Sequence, residues 1–232
     1  KITVDVEIAI LNMRLKFKWG TARIQNGLIS LPEFQQAEIE VLVENFDLSR
    51  QAINCILKKH KLNGYYRKKT KNWKFFRAKY ANELWQIDLK EFKFEGKKYF
   101  IFVVVDDYSR FILCLNLFDH CPTTNELTSV LRKLKVKPQK ILSDHGAQFK
   151  EQWKNWCKEI GIEAIFAHPY YPQDKGKVER TIRNLAEEFV DLLFVFPVWF
   201  NIECIEKWRV WFNEKRFHRG VKGYPSNLYV KL

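Results

Sequence analysis

The chain has 232 residues, 47% of them hydrophobic and 16% aromatic, enough to bury one large core or two smaller ones and too apolar for a disordered chain. Its formal net charge of +13 fits a polyanionic partner better than a small-molecule substrate. No apolar run reaches the ~18 residues of a membrane span.

The charge is spread along the chain. Residues 1–70 carry 12 basic and 7 acidic groups, and residues 71–232 carry 28 and 20, so each part is basic. A solvated basic surface is the plainer reading of that excess, and nucleic acid the sharper one. The longest apolar run, residues 192–200, is interrupted by Pro197 and reads as core. Lys1 is not a natural start and no signal peptide follows it, so the chain reads as a fragment. Five cysteines, Cys55, Cys114, Cys121, Cys157 and Cys204, form no CxxC pair and no zinc spacing. Cys114 and Cys157 lie in apolar segments as core thiols, and a reducing, cytoplasmic setting is expected, with no membrane partner.

Apolar residues Ile8, Ile10, Leu11, Leu15 and Ile24 recur at helical spacing and predict a helix over residues 3–27. A second helix is expected from Pro32 through Ala37, Ile39 and Leu42 to Phe46. A third follows the N-cap Ser49 and covers residues 50–60, with Ala52, Ile53, Ile56 and Leu57 inward. The short Asp47-Leu-Ser49 join between the last two reads as a helix-turn-helix. Arg50, Gln51, Asn54 and Lys58 then lie outward at the start of a recognition helix, as residue types that read guanine and adenine edges. A small helical bundle with ordinary polar residues outside is the competing reading. Residues 58–79 hold ten Lys or Arg and no acid, interleaved with Tyr65, Tyr66, Trp73, Phe75 and Phe76, a pattern suited to tracking a phosphate backbone. Domains are expected at 1–64 (helix-turn-helix), 65–82 (basic aromatic linker) and 83–232 (a single core).

From Glu83 the periodicity changes to two. Trp85, Ile87 and Leu89 alternate with Gln86, Asp88 and Lys90, which puts Asp88 on the face opposite the apolar side chains. Residues 99–105 and 111–118 are apolar strands joined by Asp106-Asp107-Tyr-Ser-Arg110. A helix near 126–134, a strand ending at Asp144, a helix over 148–160, a strand over 162–167 and helices near 175–195 and 202–214 complete the chain. Three consecutive strands followed by alternating helices and strands predict an α/β sheet with helices on its faces.

Three acids stand out by context. Asp88 lies in Glu83-Leu-Trp-Gln-Ile-Asp-Leu-Lys90, Asp144 ends Lys140-Ile-Leu-Ser-Asp144 before His145-Gly146, and Glu179 opens the helix Lys175-Gly-Lys-Val-Glu-Arg-Thr-Ile-Arg-Asn184, 35 positions after Asp144. These contexts, in this order, resemble the DDE transposase and retroviral-integrase superfamily, most closely the prokaryotic insertion-sequence transposases. Further segments share the likeness: Trp19-Gly-Thr-Ala-Arg-Ile24, His168-Pro-Tyr-Tyr-Pro-Gln-Asp-Lys-Gly-Lys-Val-Glu179, and Phe212-Asn-Glu-Lys-Arg-Phe-His218 with Pro225 to Tyr229.

The resemblance implies an RNase H-like integrase core, a five-stranded mixed sheet with flanking helices, preceded by a small all-α region. It implies a polynucleotidyl transferase that cleaves and joins DNA strands at mobile-element ends with two Mg²⁺ or Mn²⁺ ions, Asp88 bridging and Asp144 and Glu179 completing one site each. Its partners would be double-stranded DNA, as element ends and target, and further copies of the chain assembled on that DNA. Lys175, Lys177, Arg180 and Arg183 are the expected DNA contacts around Glu179; Lys175 stands where the family often has Asn. His145, His168, Arg216, His218 and Arg219 are expected to pack or to touch DNA. The family motif makes Asp106 and Asp107 structural, with Asp107 capping the turn to Ser109 and Arg110, and Asp174 is expected to be solvated. Two rivals stay open: a transposase-derived DNA-binding protein without transposition, and an RNase H-like nuclease that only hydrolyses.

Overall fold

The computed structural model describes residues 2–39, 46–63, 77–168 and 174–229. The chain divides into two compact units, Lys1–Asn72 with Lys215–Phe217, and Trp73–Glu214 with His218–Leu232.

The first unit is helical: α1 (Val4–Lys16), α2 (Thr21–Ile29), α3 (Glu33–Ile39) and α4 (Arg50–Lys59). The single helix expected over residues 3–27 is two. Lys18 has φ +55°, a left-handed conformation that ends α1, and extended Gly20 caps the start of α2. The Arg14 guanidinium donates to Trp19 O at 3.0 Å and fixes that turn, with Phe17 and Trp19 buried. Ser49 caps α4 as expected, its hydroxyl accepting from Ala52 N, and Ile53, Ile56 and Leu57 are buried. The second expected helix is described only to Ile39; its continuation through Leu42 lies outside the described residues, and Phe46 is not helical. Instead Phe46 N donates to Leu28 O, and Gln25 Nε2 donates to Leu48 O at 2.9 Å, so α4 enters alongside α2. The middle of the basic connector, including Tyr65, Tyr66, Trp73, Phe75 and Phe76, also lies outside the described residues.

The second unit is built on five strands, β1 (Leu84–Phe94), β2 (Lys97–Asp106), β3 (Ile112–Phe118), β4 (Lys140–Ser143) and β5 (Glu163–Phe166). Their order is β3-β2-β1-β4-β5, with antiparallel pairing among β1 to β3 and parallel pairing of β4 to β1 and β5 to β4. This is the expected mixed sheet. The parallel strands are reached through α5 (Thr124–Arg132) and α6 (Glu151–Glu159), the crossovers that parallel pairing requires. One sheet face, with Trp85, Ile87, Phe102, Val104 and Ile141, packs on Leu127, Leu131, Trp153 and Cys157 of those helices. The opposite face of β1 and β2 meets α7 (Gly176–Glu188), and α8 (Ile202–Glu214) packs on β3.

Several boundaries moved. The helix expected from residue 148 begins as a 3₁₀ turn, Ala147–Phe149, and the one expected to reach 195 leaves α-geometry at Glu188 for a 3₁₀ turn over Val190–Phe194. Residues 77–82 are tied into the sheet unit: Arg77 Nε donates to Tyr108 O, and Asn82 Oδ1 accepts from both Trp85 Nε1 and the Tyr229 hydroxyl. Part of the C-terminal motif packs on the sheet unit. Asn213 clamps the first residue of β3, accepting from Ile112 N at 2.8 Å and donating to Ile112 O at 2.9 Å, while Tyr229 stacks on Phe111. Arg216 is buried, and the His218 ring meets Phe212.

Candidate active site

Strand alternation aims Gln86 and Asp88 at the face that meets α7, while Trp85 and Ile87 enter the core opposite. Asp144 is the residue after the last of β4, and β4 is paired to β1, so the two carboxylates come from neighbouring strands. Gly146 makes room for Asp144: its amide donates to Oδ1 at 2.8 Å, and a Cβ there would stand 2.9 Å from that oxygen. No larger residue fits without moving the acid.

Asp88 and Asp144 converge on one cation, the Lys175 ammonium, at 2.7 Å from Asp88 Oδ1 and 3.5 Å from Asp144 Oδ2. Lys175 is the residue before α7, and its side chain is only 9% exposed. Glu179 lies in the first turn of that helix, exposed, with its amide donating to Lys175 O. Among the described residues no three His, Cys, Asp or Glu side chains stand close enough to hold one ion. Two of the three expected acids are thus brought together, and the third lies on the adjoining helical turn.

A residue that sequence reasoning passed over fixes this helix to β1. Gln86 accepts from Val178 N at 3.1 Å through Oε1 and donates through Nε2 to Asp174 O at 3.1 Å and to Asp107 Oδ1 at 2.8 Å. One orphan amide of the first turn is thereby satisfied by a side chain two residues from Asp88. The available signal was a polar residue on the same strand face as the acid.

Asp106 and Asp107 are structural as expected, but their parts are exchanged. Asp106 takes the turn, accepting from Asn82 N, Ser109 N and the Ser109 hydroxyl. Asp107 points beneath the site, accepting from Ala78 N, Gln86 and the Lys177 ammonium at 2.6 and 2.5 Å. Burial pushes the Asp106 carboxyl above the ordinary carboxylate range despite its donors. Burial also lowers the Lys177 amine to about 8, against the opposing pull of Asp107.

The expected DNA contacts separate into two kinds. Arg180 and Arg183 on α7, and Arg50, Gln51 and Lys58 on α4, are exposed, with Asn54 half-buried. Lys175 and Lys177 are turned inward onto carboxylates. Asp174 is partly exposed, and its Oδ2 accepts from His168 N and pairs with the largely exposed His168 ring. His145 is bonded to Ala167 O and stacked on Phe166, a packing role.

The donor set near the site is all oxygen, and two carboxylates already share a cation position, so the residues present fit a hard divalent ion such as Mg²⁺. Sheet order and crossovers, with Asp88 inside β1 and Asp144 just past the end of neighbouring β4, are those of the RNase H-like integrase core. Residues 78–172 match the family model of the integrase core domain, so this part of the chain is similar to that family. Over 107 residues the chain is 32% identical to the Gag-Pro-Pol polyprotein of squirrel monkey retrovirus, covering 45% of this chain and 6% of that one. Over 106 residues it is 32% identical to the Pro-Pol polyprotein of simian foamy virus type 1, covering 44% and 9%. The chain therefore spans less than a tenth of the length of these relatives. A chain of the simian T-cell lymphotropic virus intasome superposes with a TM-score of 0.62 at 19% identity, over 80% of this chain and 68% of that one. The HTLV-2 integrase catalytic core domain in complex with magnesium gives 0.54 at 22%, over 66% and 100%. These last two show the fold.

Proposed function

We propose that the chain is a DDE recombinase of a mobile element that cleaves DNA strands and joins them to a target with divalent metal ions. The observation that carries this is the convergence of Asp88 and Asp144 on one cation position, beside a helix whose first turn bears Glu179. In this reading Asp88, Asp144 and Glu179 would hold the divalent ions, Mg²⁺ or Mn²⁺, which when bound would supply activation of an oxygen nucleophile and stabilisation of the leaving oxygen.

The protein's own parts do the rest. The Gln86 cap and the Lys177–Asp107 pair hold the Glu179 turn against β1, so the acids keep their spacing when DNA arrives. Arg180 and Arg183 offer exposed cations on the same helix for phosphate oxygens. On α4, Arg50, Gln51, Asn54 and Lys58 would read the element ends as a helix-turn-helix does. The Trp19-Gly20-Thr-Ala-Arg-Ile24 segment supports the insertion-sequence branch, and a nucleoid setting would follow from it. Further copies of the chain would assemble on the DNA; the HTLV-2 core has been solved in dimeric and trimeric forms. No helix among the described residues is long and apolar enough to cross a membrane.

One observation favours a second reading, a DNA-binding relic of a transposase: a lysine ammonium stands between the two acids. A strand-transfer assay on DNA carrying the native element ends separates the two. Transfer should require Mg²⁺ or Mn²⁺, vanish on chelation, and fall about a hundredfold or more in Glu179→Gln while DNA binding holds. Transfer that survives chelation would remove the metal mechanism, and binding without transfer would favour the relic.

A further inference from the structure

We propose that Lys175 is an internal counter-ion that holds Asp88 and Asp144 together in the metal-free protein, and that a divalent ion binds only by displacing it. The inference rests on the metal-dependent reading above and adds to it a residue that sets metal affinity. Among the described residues, the Lys175 ammonium is the one partner identified for the Asp88 carboxylate, at 2.7 Å. Asp144 has a partner besides it, the Gly146 amide on Oδ1, and turns Oδ2 to the lysine at 3.5 Å. That asymmetry matters. The ammonium makes a hydrogen bond to one acid and only a charge contact with the other, so its hold on the pair is incomplete.

Without any cation there, the two acids of neighbouring strands would repel each other. Lys175 removes that repulsion at the position a metal ion would take. A divalent ion carries twice the charge and prefers oxygen ligands, so it outcompetes an ammonium once its concentration is sufficient. The lysine's four-carbon stem lets the ammonium leave without moving the helix, because the helix is anchored separately through Gln86 and Lys177. The lysine two positions on serves as an internal contrast: Lys177 meets both oxygens of a fully buried carboxylate that also takes backbone and amide donors, a structural pair with no position left for an ion.

The competition is measurable without catalysis. Mn²⁺ is titrated into the full chain and free ion is read by electron paramagnetic resonance, with melting followed in chelator and in excess Mn²⁺. Lys175→Gln should bind Mn²⁺ about tenfold tighter than wild type, the equivalent of about 1.4 kcal/mol. It should also melt lower in chelator and gain more on adding metal. Lys175→Met, run beside it, gives the same comparison if the glutamine variant folds poorly, as judged by circular dichroism. Lys175→Arg, which keeps the cation, should bind no tighter than wild type, and Asp88→Asn should bind little. Equal Mn²⁺ affinity in wild type, Lys175→Gln and Lys175→Met, with binding lost in Asp88→Asn, would overturn the counter-ion proposal and leave the metal reading standing. No Mn²⁺ binding by any of them would overturn the metal reading, and the counter-ion with it.

Discussion

Two carboxylate pairs lie within a few residues of each other in this fold, each met by a lysine from the start of α7, and they are finished differently. Asp106 and Asp107 are fully buried, and each accepts three or more hydrogen bonds from backbone amides, a hydroxyl, an amide side chain or Lys177. Asp88 and Asp144 have side chains 18% and 46% exposed, and they share one incompletely held ammonium. A fully buried carboxylate with several donors on its oxygens is a structural part; a partly exposed one with lone pairs to spare is available to a ligand. The two pairs are made of the same residue types, and only the surroundings distinguish them.

The sharpest way to break this comparison is to neutralise one acid from each pair. Asp88→Asn should lower strand transfer by about a hundredfold or more while lowering the melting temperature less than Asp107→Asn does, because Asp144 still faces the Lys175 ammonium at 3.5 Å. Asp107→Asn should do its damage in stability. It leaves the inward-facing Lys177 ammonium without a counter-charge, a loss of about 3 kcal/mol by analogy with broken buried pairs. That corresponds to a fall of about 6–12 °C in Tm. Thermal melts and transfer assays on both variants decide it. If Asp88→Asn melted like Asp107→Asn, the open pair would be a structural pair as well.

A smaller effect tests the connection between the pairs. Gln86→Ala removes the bonds to Val178 N and Asp174 O that fix the first turn of α7, and it takes one donor from Asp107. Stability should drop by about 1–2 kcal/mol. Transfer should drop by about tenfold, because Glu179 is no longer held in register with β1. Amide exchange at Val178 and Glu179 should quicken before that of the sheet. Wild-type exchange there would show that the glutamine does not anchor the helix.

What the sequence made legible follows the range of the interactions involved. Alternation along residues 83–90 put Asp88 on the correct face, because strand periodicity is local. The Asp-His-Gly order fixed Asp144 at a strand end, because Gly146 works on its near neighbour. The exchange between Asp106 and Asp107 was not legible. Both lie within three residues of Ser109, and the choice is made by Gln86 and Lys177, 21 and 70 positions away in the chain. The Lys175 contact spans 87 positions and was equally hidden, so a lysine beside a catalytic-type acid read as a DNA contact. The break at Lys18 escaped for a different reason: apolar spacing continues through it, and only a backbone angle marks the end of α1.

The smallest effect isolates burial itself. Glu126 accepts almost the same set of donors as Asp106: it takes Thr123 N, the Thr123 hydroxyl and the His120 ring, each at 2.8 Å, in a capping box at the start of α5. Yet the two shift in opposite directions. The backbone and hydroxyl donors of Thr123, then His120, lower the exposed Glu126 carboxyl from its ordinary 4.5 to about 2, while desolvation raises Asp106. The signs of the pH dependence follow. Glu126 is depressed, so its stabilisation is full above about pH 4.5 and is lost as pH falls toward 2. Asp106 is raised, so the folded state holds its proton longer than the unfolded chain, and its contribution declines as pH rises past 3.8. Glu126→Gln keeps a capping-box acceptor without the charge. The variant should therefore melt slightly below wild type at neutral pH, on the order of a degree, and the gap should close between pH 4.5 and 2. A gap that stayed constant through that window would mean that the capping carboxylate keeps its ordinary acidity, and that hydrogen bonds without burial do not account for the contrast with Asp106.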